Sequence, residues 1–290
     1  MTIVRISEAV SVNHGIDIEL GKIMSVMKSY EPHNLPLLID NNQRAYDLFL
    51  AQSDVISLRK NEDYLRIESA SCVPILNGVL AADLSADDPE NRIDEILDIL
   101  KSQQKSFCWK VWSSSDFSDL GKRLHSKGLT LASECPGMAA ELSALDLDSQ
   151  PLENLTIKPV DTELGLREWI ATLFDGFQFN RELRPIYQQM LIDAGFRDPV
   201  KHYLGVYEGK PVATASCFFS DGVVGVYWVS TKPDFRGKGI AREMMRVILR
   251  DALCDGYQVA ILQSSEQGFP LYQKIGFTQF CKNIRYEWRV

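Results

Sequence analysis

The chain has 290 residues, 45% hydrophobic and 24% charged, with a net charge of −8. This balance is typical of a globular protein, and without a long basic run it argues against nucleic acid as a partner. No apolar stretch reaches membrane-spanning length, no signal peptide is recognisable, and the six cysteines and four histidines form no metal-binding pattern. We expect a cytoplasmic protein that binds neither metal nor membrane, although export without an N-terminal signal would leave the same sequence features.

The first half carries a faint order of strand, polar loop, helix, strand and short helix. Apolar runs and helical periodicity place these elements at 75–82, 85–92, 93–100, 107–112 and 119–127. The loop from Asp87 to Arg92 is acidic and has no glycine. Carboxylates suit a helix N-terminus but repel a pyrophosphate, so we do not expect this loop to bind one.

A linker is predicted where the two halves meet. Residues 145–152 are acidic, lack periodicity and end near Pro151. The length also suits two domains better than one. We therefore divide the chain into domains at 1–148 and 149–290.

The second half reads as two helices, an antiparallel meander, and then helix, strand, helix and strand. Asp221-Gly222 predicts a tight hairpin turn inside the meander. On the helix after the meander, apolar residues recur at spacings of three and four, which leaves Arg242, Arg246 and Arg250 on a solvated face. The strands are predicted at 155–160, 202–207, 212–219, 223–231, 259–263 and 284–290, and the helices at 163–177, 185–194, 240–251 and 271–275.

The turn between strand 223–231 and helix 240–251 carries the strongest signal. It reads Arg236-Gly237-Lys238-Gly239, so two glycines and two cations open directly into a helix. The first helical turn has unpaired N–H groups and a partial positive charge, and glycine keeps side chains away from them. This turn is therefore predicted to bind a phosphate or pyrophosphate.

The segment Arg236-Gly237-Lys238-Gly239-Ile240-Ala241 resembles the acyl-CoA pyrophosphate loop of the GNAT superfamily of N-acetyltransferases. Downstream, a buried strand, a polar turn and Leu271-Tyr272-x-x-x-Gly276-Phe277 resemble the second signature segment of that superfamily. The resemblance covers roughly residues 157–290. It implies an α/β protein with two GNAT-like domains, each a mixed, mostly antiparallel sheet flanked by helices, of which the first is a degenerate copy. An unrelated α/β domain is the alternative for the first half.

The resemblance also implies site residues. Tyr272 would donate a proton to the departing sulfur as the catalytic residue, and Ser265 would touch the pantetheine arm. The backbone of Val229, Ser230 and Thr231 would hold the acetyl group and that arm. The pyrophosphate would lie against Arg236, Gly237, Lys238, Gly239, Ile240, Ala241 and Arg242.

The expected activity is transfer of the acetyl group of acetyl-CoA, the cosubstrate, to a primary amine of a small molecule or protein by direct attack. The alternative is a catalytically inactive CoA-binding protein that acts through protein interaction. The strand before the loop offers no carboxylate, so the general base stays open among Asp175, Glu266, Glu287 and Tyr227. Tyr227 and Trp228 are adjacent on a strand and should face opposite sides. The acceptor pocket is expected around residues 174–189 and the C-terminal strand.

Overall fold

The computed structural model describes residues 32–61, 64–82, 84, 88–112, 119–148, 150–180 and 182–290. These residues form eleven strands and seven α-helices. The strands are β1 (Ile56–Lys60), β2 (Tyr64–Ser69), β3 (Gly78–Ala82), β4 (Phe107–Trp112), β5 (Thr130–Glu141), β6 (Leu155–Pro159), β7 (Val200–Tyr207), β8 (Lys210–Ser220), β9 (Val223–Thr231), β10 (Val259–Gln263) and β11 (Thr278–Trp288). The helices are α1 (Leu35–Leu50), α2 (Pro89–Ser102), α3 (Leu120–Ser126), α4 (Glu163–Phe177), α5 (Arg184–Ala194), α6 (Ile240–Cys254) and α7 (Phe269–Ile275).

All eleven strands belong to one sheet, in the order β1-β2-β3-β4-β11-β5-β10-β9-β8-β7-β6. Two neighbouring pairs are parallel, β3 with β4 and β9 with β10, and the other neighbours are antiparallel. Helices cover both faces, because buried residues alternate along the central strands. Ala139 packs with α1, whereas Met138 and Ala140 pack with α6. The predicted mixed, mostly antiparallel α/β fold is confirmed.

The halves of the chain exchange their last strands. Residues 137–141 of β5 pair with β10 on one side, and residues 130–139 pair with β11 on the other side. Conversely, residues 283–288 of β11 pair with β4 of the first half. Each half therefore supplies a strand that pairs with strands of the other. The division into domains 1–148 and 149–290 stays a prediction.

The first half also contains a parallel pair of neighbouring strands. β3 and β4 pair only at Gly78 with Cys108 and at Val79 with Trp109, and no register pair continues beyond these. Each half thus contains a parallel strand pair that separates. The predicted loop 87–92 is wrong at its C-terminal end, because α2 begins at Pro89 with Asp88 as its N-cap. Asp87 lies outside the described residues. Proline is favoured in the first helical turn, where a missing N–H costs nothing.

The solvated face predicted for α6 is wrong at Arg246. Its guanidinium is buried and forms two hydrogen bonds with the Glu243 carboxylate, at 2.8 and 2.5 Å. It also donates to the carbonyl oxygen of Leu147 at 3.1 Å. The first part of the predicted linker therefore packs on α6, and this contact explains why a charged side chain is buried there.

A fragment of residues 149–290 should fail to fold as a monomer. It lacks β5, which separates β10 from β11 and supplies the buried side chains Met138 and Ala140, and it lacks the buried Leu142 that follows β5. Open sheet edges and lost core favour aggregation. Size-exclusion chromatography with circular dichroism checks this, and adding a separately expressed fragment 1–148 should restore a one-to-one complex. A monomeric fragment that unfolds cooperatively would contradict the exchange.

Candidate functional site

The sheet opens at the end of β10. β9 and β10 pair as far as Val226 with Leu262, but β9 continues to Thr231 without β10 beside it. On the other side of β10, β5 pairs with Gln263 at Gly137, so residues 130–136 extend past the end of β10. The opening is therefore bordered by β9 of the second half and β5 of the first half.

A β-bulge bends β9 at this opening. The register with β8 shifts between Ser216, opposite Tyr227, and Thr214, opposite Ser230. Within the bulge, Trp228 has a φ of 53°, a left-handed conformation that costs a non-glycine residue about 1–3 kcal/mol. The Thr214 hydroxyl donates to the Trp228 carbonyl oxygen at 2.9 Å, and the Trp228 indole N–H donates to the Tyr46 hydroxyl. These contacts hold a strained residue in place.

Helix α1 of the first half supports both aromatic residues of the bulge. The Tyr227 hydroxyl donates to Asn42 Oδ1 at 2.6 Å, and the rings of Tyr46 and Tyr227 stack at 4.0 Å. A Cβ on Gly225 would overlap Asn42, so glycine permits this close approach. The prediction that Tyr227 and Trp228 face opposite sides is wrong, because the bulge breaks the alternation and both contact α1.

The loop after β9 has the geometry of an anion site. Gly237 and Gly239 have φ values of 76° and 82°, and Gly239 is the N-cap of α6 with no side chain capping the helix. A Cβ at either glycine would meet nothing within 4 Å, so the space in front of the first helical turn is open. Unpaired N–H groups at a helix N-terminus attract phosphate. Ile240 is buried and anchors the helix, while Ala241 is half-buried and Arg242 exposed.

The two cations of the loop are placed differently. Lys238 lies over the rings of Tyr207 and Phe235, at 5.3 and 5.4 Å from their centroids. Arg236 donates to the carbonyl oxygens of Thr231 at 3.0 Å and of Gly176 at 2.7 Å. Arg236 therefore ties the loop to the end of β9 and to α4.

Tyr272 lies in α7, in the same buried cluster as Ile240 and Leu262. Burial raises the pKa of Tyr272 to about 12, and its hydroxyl makes no hydrogen bond within the described part of the chain. The phenol therefore stays protonated at neutral pH and is available as a donor. Ser265, in contrast, is exposed, and its hydroxyl accepts a hydrogen bond from the Gly268 N–H at 3.1 Å, at the start of α7.

The side chains considered as general base are mostly engaged. Asp175 is 3.2 Å from Lys232 Nζ, and Glu287 is paired with two arginines. Burial raises the pKa of Tyr227 well above its usual value, so the phenol is neutral and acts as a donor to Asn42. Glu266 is exposed in the turn before α7.

An aromatic cluster lies beside the bulge, in the region expected for the acceptor. Trp228 contacts Phe177 and Tyr187 at ring-centroid distances of 6.0 Å each, and Phe179 at 6.4 Å. Sequence reasoning found this region but missed Asn42 and Tyr46. No motif marks them, and only their contacts across 185 and 182 residues reveal their part in the site.

The corresponding positions of the first half carry different chemistry. Asp88 caps α2 by accepting from the Asn91 N–H at 3.1 Å, where Gly239 leaves α6 uncapped. Leu124 precedes Gly128 by four residues, as Tyr272 precedes Gly276, and it is fully buried. At these described positions, the first half thus has neither the open N-terminus nor the phenol. In the described residues, no group of side chains is arranged to hold a metal ion, and no helix is long and apolar enough to cross a bilayer.

Comparison with known proteins identifies a family for part of the chain. Residues 165–277 match the model of the acetyltransferase (GNAT) family. A GCN5-related N-acetyltransferase from Kribbella flavida is similar in structure, with a TM-score of 0.65 and 17% identity over 87% of this chain and 95% of that one. The match to a GCN5-related N-acetyltransferase from Sphaerobacter thermophilus has a TM-score of 0.60 and 12% identity, over 90% and 94% of the two chains.

A tandem GNAT protein from the clavulanic acid biosynthesis pathway has a TM-score of 0.61 and 10% identity, with 92% of both chains covered. At these identities the likeness concerns the fold. No curated protein matches the sequence significantly.

Replacing Tyr46 with phenylalanine should destabilise the protein by about 1–2 kcal/mol, because the Trp228 N–H loses its acceptor. Urea unfolding, followed by circular dichroism, measures the change. Tyr257→Phe is the matched control, since the Tyr257 hydroxyl makes no hydrogen bond in the described residues. Equal midpoints for both variants would show that the Tyr46 contact does not hold the bulge.

Proposed function

We propose, because residues 165–277 belong to the GNAT acetyltransferase family, that the protein is an N-acetyltransferase. It transfers the acetyl group of acetyl-CoA to a primary amine of a small molecule or protein. The observation that supports this most is the opening of the sheet directly beside an uncapped helix N-terminus. An extended thioester fits such an arrangement, with its phosphates at the helix and its acyl end in the opening.

The cofactor-binding residues are proposed as follows. The pyrophosphate lies against the N–H groups from Gly237 to Arg242, which include Lys238, Gly239, Ile240 and Ala241. The backbone of Val229, Ser230 and Thr231 holds the pantetheine arm and the acetyl group along the free edge of β9. Ser265 contacts the arm from the turn before α7. Arg236 acts as a positioning residue, since its side chain holds Thr231 and Gly176.

The chemistry is a direct transfer. The neutral amine attacks the thioester carbonyl carbon, negative charge grows on the carbonyl oxygen, and the carbon–sulfur bond breaks. Backbone N–H groups on the free edge of β9 stabilise that charge. The Tyr272 phenol donates a proton to the departing sulfur, the amine releases its proton to water, and the phenolate regains a proton from water. A pKa of about 12 keeps this phenol protonated throughout the physiological range.

The first half is proposed to be a degenerate, inactive copy that builds part of the site. The Asp88 carboxylate already occupies the cap of α2, and a pyrophosphate there would meet a negative charge. Leu124 offers no proton. The first half contributes instead α1, which positions the bulge, and β5, which borders the opening.

A CoA-binding protein without catalysis is the second candidate function. It is favoured by the engagement of Asp175 and Glu287 in ion pairs and of Tyr227 in a hydrogen bond. Release of free thiol from acetyl-CoA in the presence of an amine panel separates the two. Thiol release that depends on the amine supports the transferase, whereas binding of acetyl-CoA without thiol release supports the second function.

Gly239→Glu should reduce acetyl-CoA affinity by at least 100-fold, because a carboxylate would lie in front of the helix N-terminus. Isothermal titration calorimetry measures the affinity. Gly222→Glu is the matched control: its φ of 76° imposes a similar backbone strain, but it lies at the opposite end of β9. Comparable affinities for the two variants would place the pyrophosphate elsewhere.

Tyr272→Phe should slow turnover by roughly 100-fold while leaving the dissociation constant of acetyl-CoA nearly unchanged. The hydroxyl acts when the sulfur leaves, not when the thioester binds. Since the pKa of Tyr272 is about 12, wild-type turnover should not fall between pH 7 and 10 through loss of this proton. Stopped-flow thiol detection gives the rates, with Tyr257→Phe as the control. Unchanged turnover in Tyr272→Phe, with chemistry rate-limiting, would remove Tyr272 from the mechanism.

A further inference from the structure

Two cations lie directly opposite each other on the sheet face that α1 covers. In the register of β4 and β11, Arg285 is the partner of Lys110, and Glu287 is the partner of Cys108. Directly opposite residues point to the same face, and like charges there destabilise a sheet. Lys110 forms an ion pair with Asp47 of α1, which identifies the face.

The charges in this cluster do not cancel. Asp47 neutralises Lys110, and the single carboxylate of Glu287 is shared by Arg285 Nε at 3.1 Å and Arg289 Nη2 at 2.6 Å. The three cations and two carboxylates leave one positive charge. Arg285 is three-quarters buried, and its terminal nitrogens make no hydrogen bond in the described residues. A largely buried guanidinium whose terminal nitrogens make no hydrogen bond in the described residues suits a bidentate carboxylate.

Arg285 lies in the part of the sheet that borders the opening. Arg285 pairs with Ser133 of β5, in the segment that extends past the end of β10. Tyr187 links the surroundings of Arg285 to the bulge, because the centroid of the Tyr187 ring is 6.0 Å from that of Trp228. Burial raises the pKa of Tyr187 to about 12, and the nearby charge of Arg285 acts against this increase.

We propose that the acceptor is an amine that also carries a carboxylate, such as an amino acid or short peptide, and that Arg285 binds this carboxylate. The inference rests on the proposed acetyl transfer. The amine would face the opening, and the apolar part of the acceptor would lie on the aromatic cluster of Phe177, Phe179, Tyr187 and Trp228. Arg285 comes from the second half, but β4 and α1 of the first half surround it.

The test compares amino acids with their amides, which keep the amine and lose the negative charge. Acetyl-CoA and each member of such a matched panel are given to the full-length wild type, Arg285→Gln and Arg289→Gln. Arg289→Gln is the matched control, because it removes a more exposed arginine from the same Glu287 carboxylate. Thiol release gives kcat and KM separately, and calorimetry gives acetyl-CoA affinity and the affinity of each acid for the CoA complex.

We expect the wild type to favour acids over amides by at least about tenfold in kcat/KM. Arg285→Gln should bring the ratio close to one, mainly by raising KM for acids, and Arg289→Gln should leave it unchanged. Equal use of acids and amides by the wild type, or an equal loss for both in Arg285→Gln, overturns the proposal. So does acetyl-CoA binding with no acid bound or acetylated. Failure to bind acetyl-CoA overturns the proposed function as well.

Discussion

The exchange of β5 and β11 is the constraint on which the rest of the structure depends. β5 pairs with β10 through residues 137–141, and its preceding residues 130–136 extend beyond the end of β10. This single strand closes the core of the second half and borders the opening at the same time. The two halves are therefore coupled in folding, and the candidate site, whose motifs lie in the second half, is bordered by backbone from the first.

The bulge in β9 shows what this coupling achieves. A left-handed tryptophan is unfavourable by itself, and contacts from α1 hold it through Tyr46, while Asn42 holds its neighbour Tyr227. The strain and its compensation lie in different halves of the chain. A first half without its own catalytic groups would thus still be required, because the geometry of the opening depends on α1.

Electrostatics distinguishes the two halves, which share the same order of elements around their parallel strands. α6 begins at an open glycine, so its N–H groups can attract an anion, whereas α2 begins at Asp88, whose carboxylate already accepts one of them. On the opposite face, the cluster around Arg285 retains a positive charge because Glu287 serves two arginines. These charges support the proposals that a phosphate binds at α6 and a smaller anion at Arg285.

The sequence by itself determined the mixed fold, the glycine loop before α6 and the position of Tyr272 in α7. These features depend on local spacing: alternation, helical periodicity, and glycines at positive φ next to a helix N-terminus. The strand exchange, the contact of Asn42 with Tyr227 and the burial of Arg246 were decided only by the tertiary structure. Each joins residues far apart in the chain, and no local pattern specifies which distant side chain will meet a strand or cover a helix. The bulge at Trp228 belongs with them, since it breaks the alternation from which strand faces are predicted.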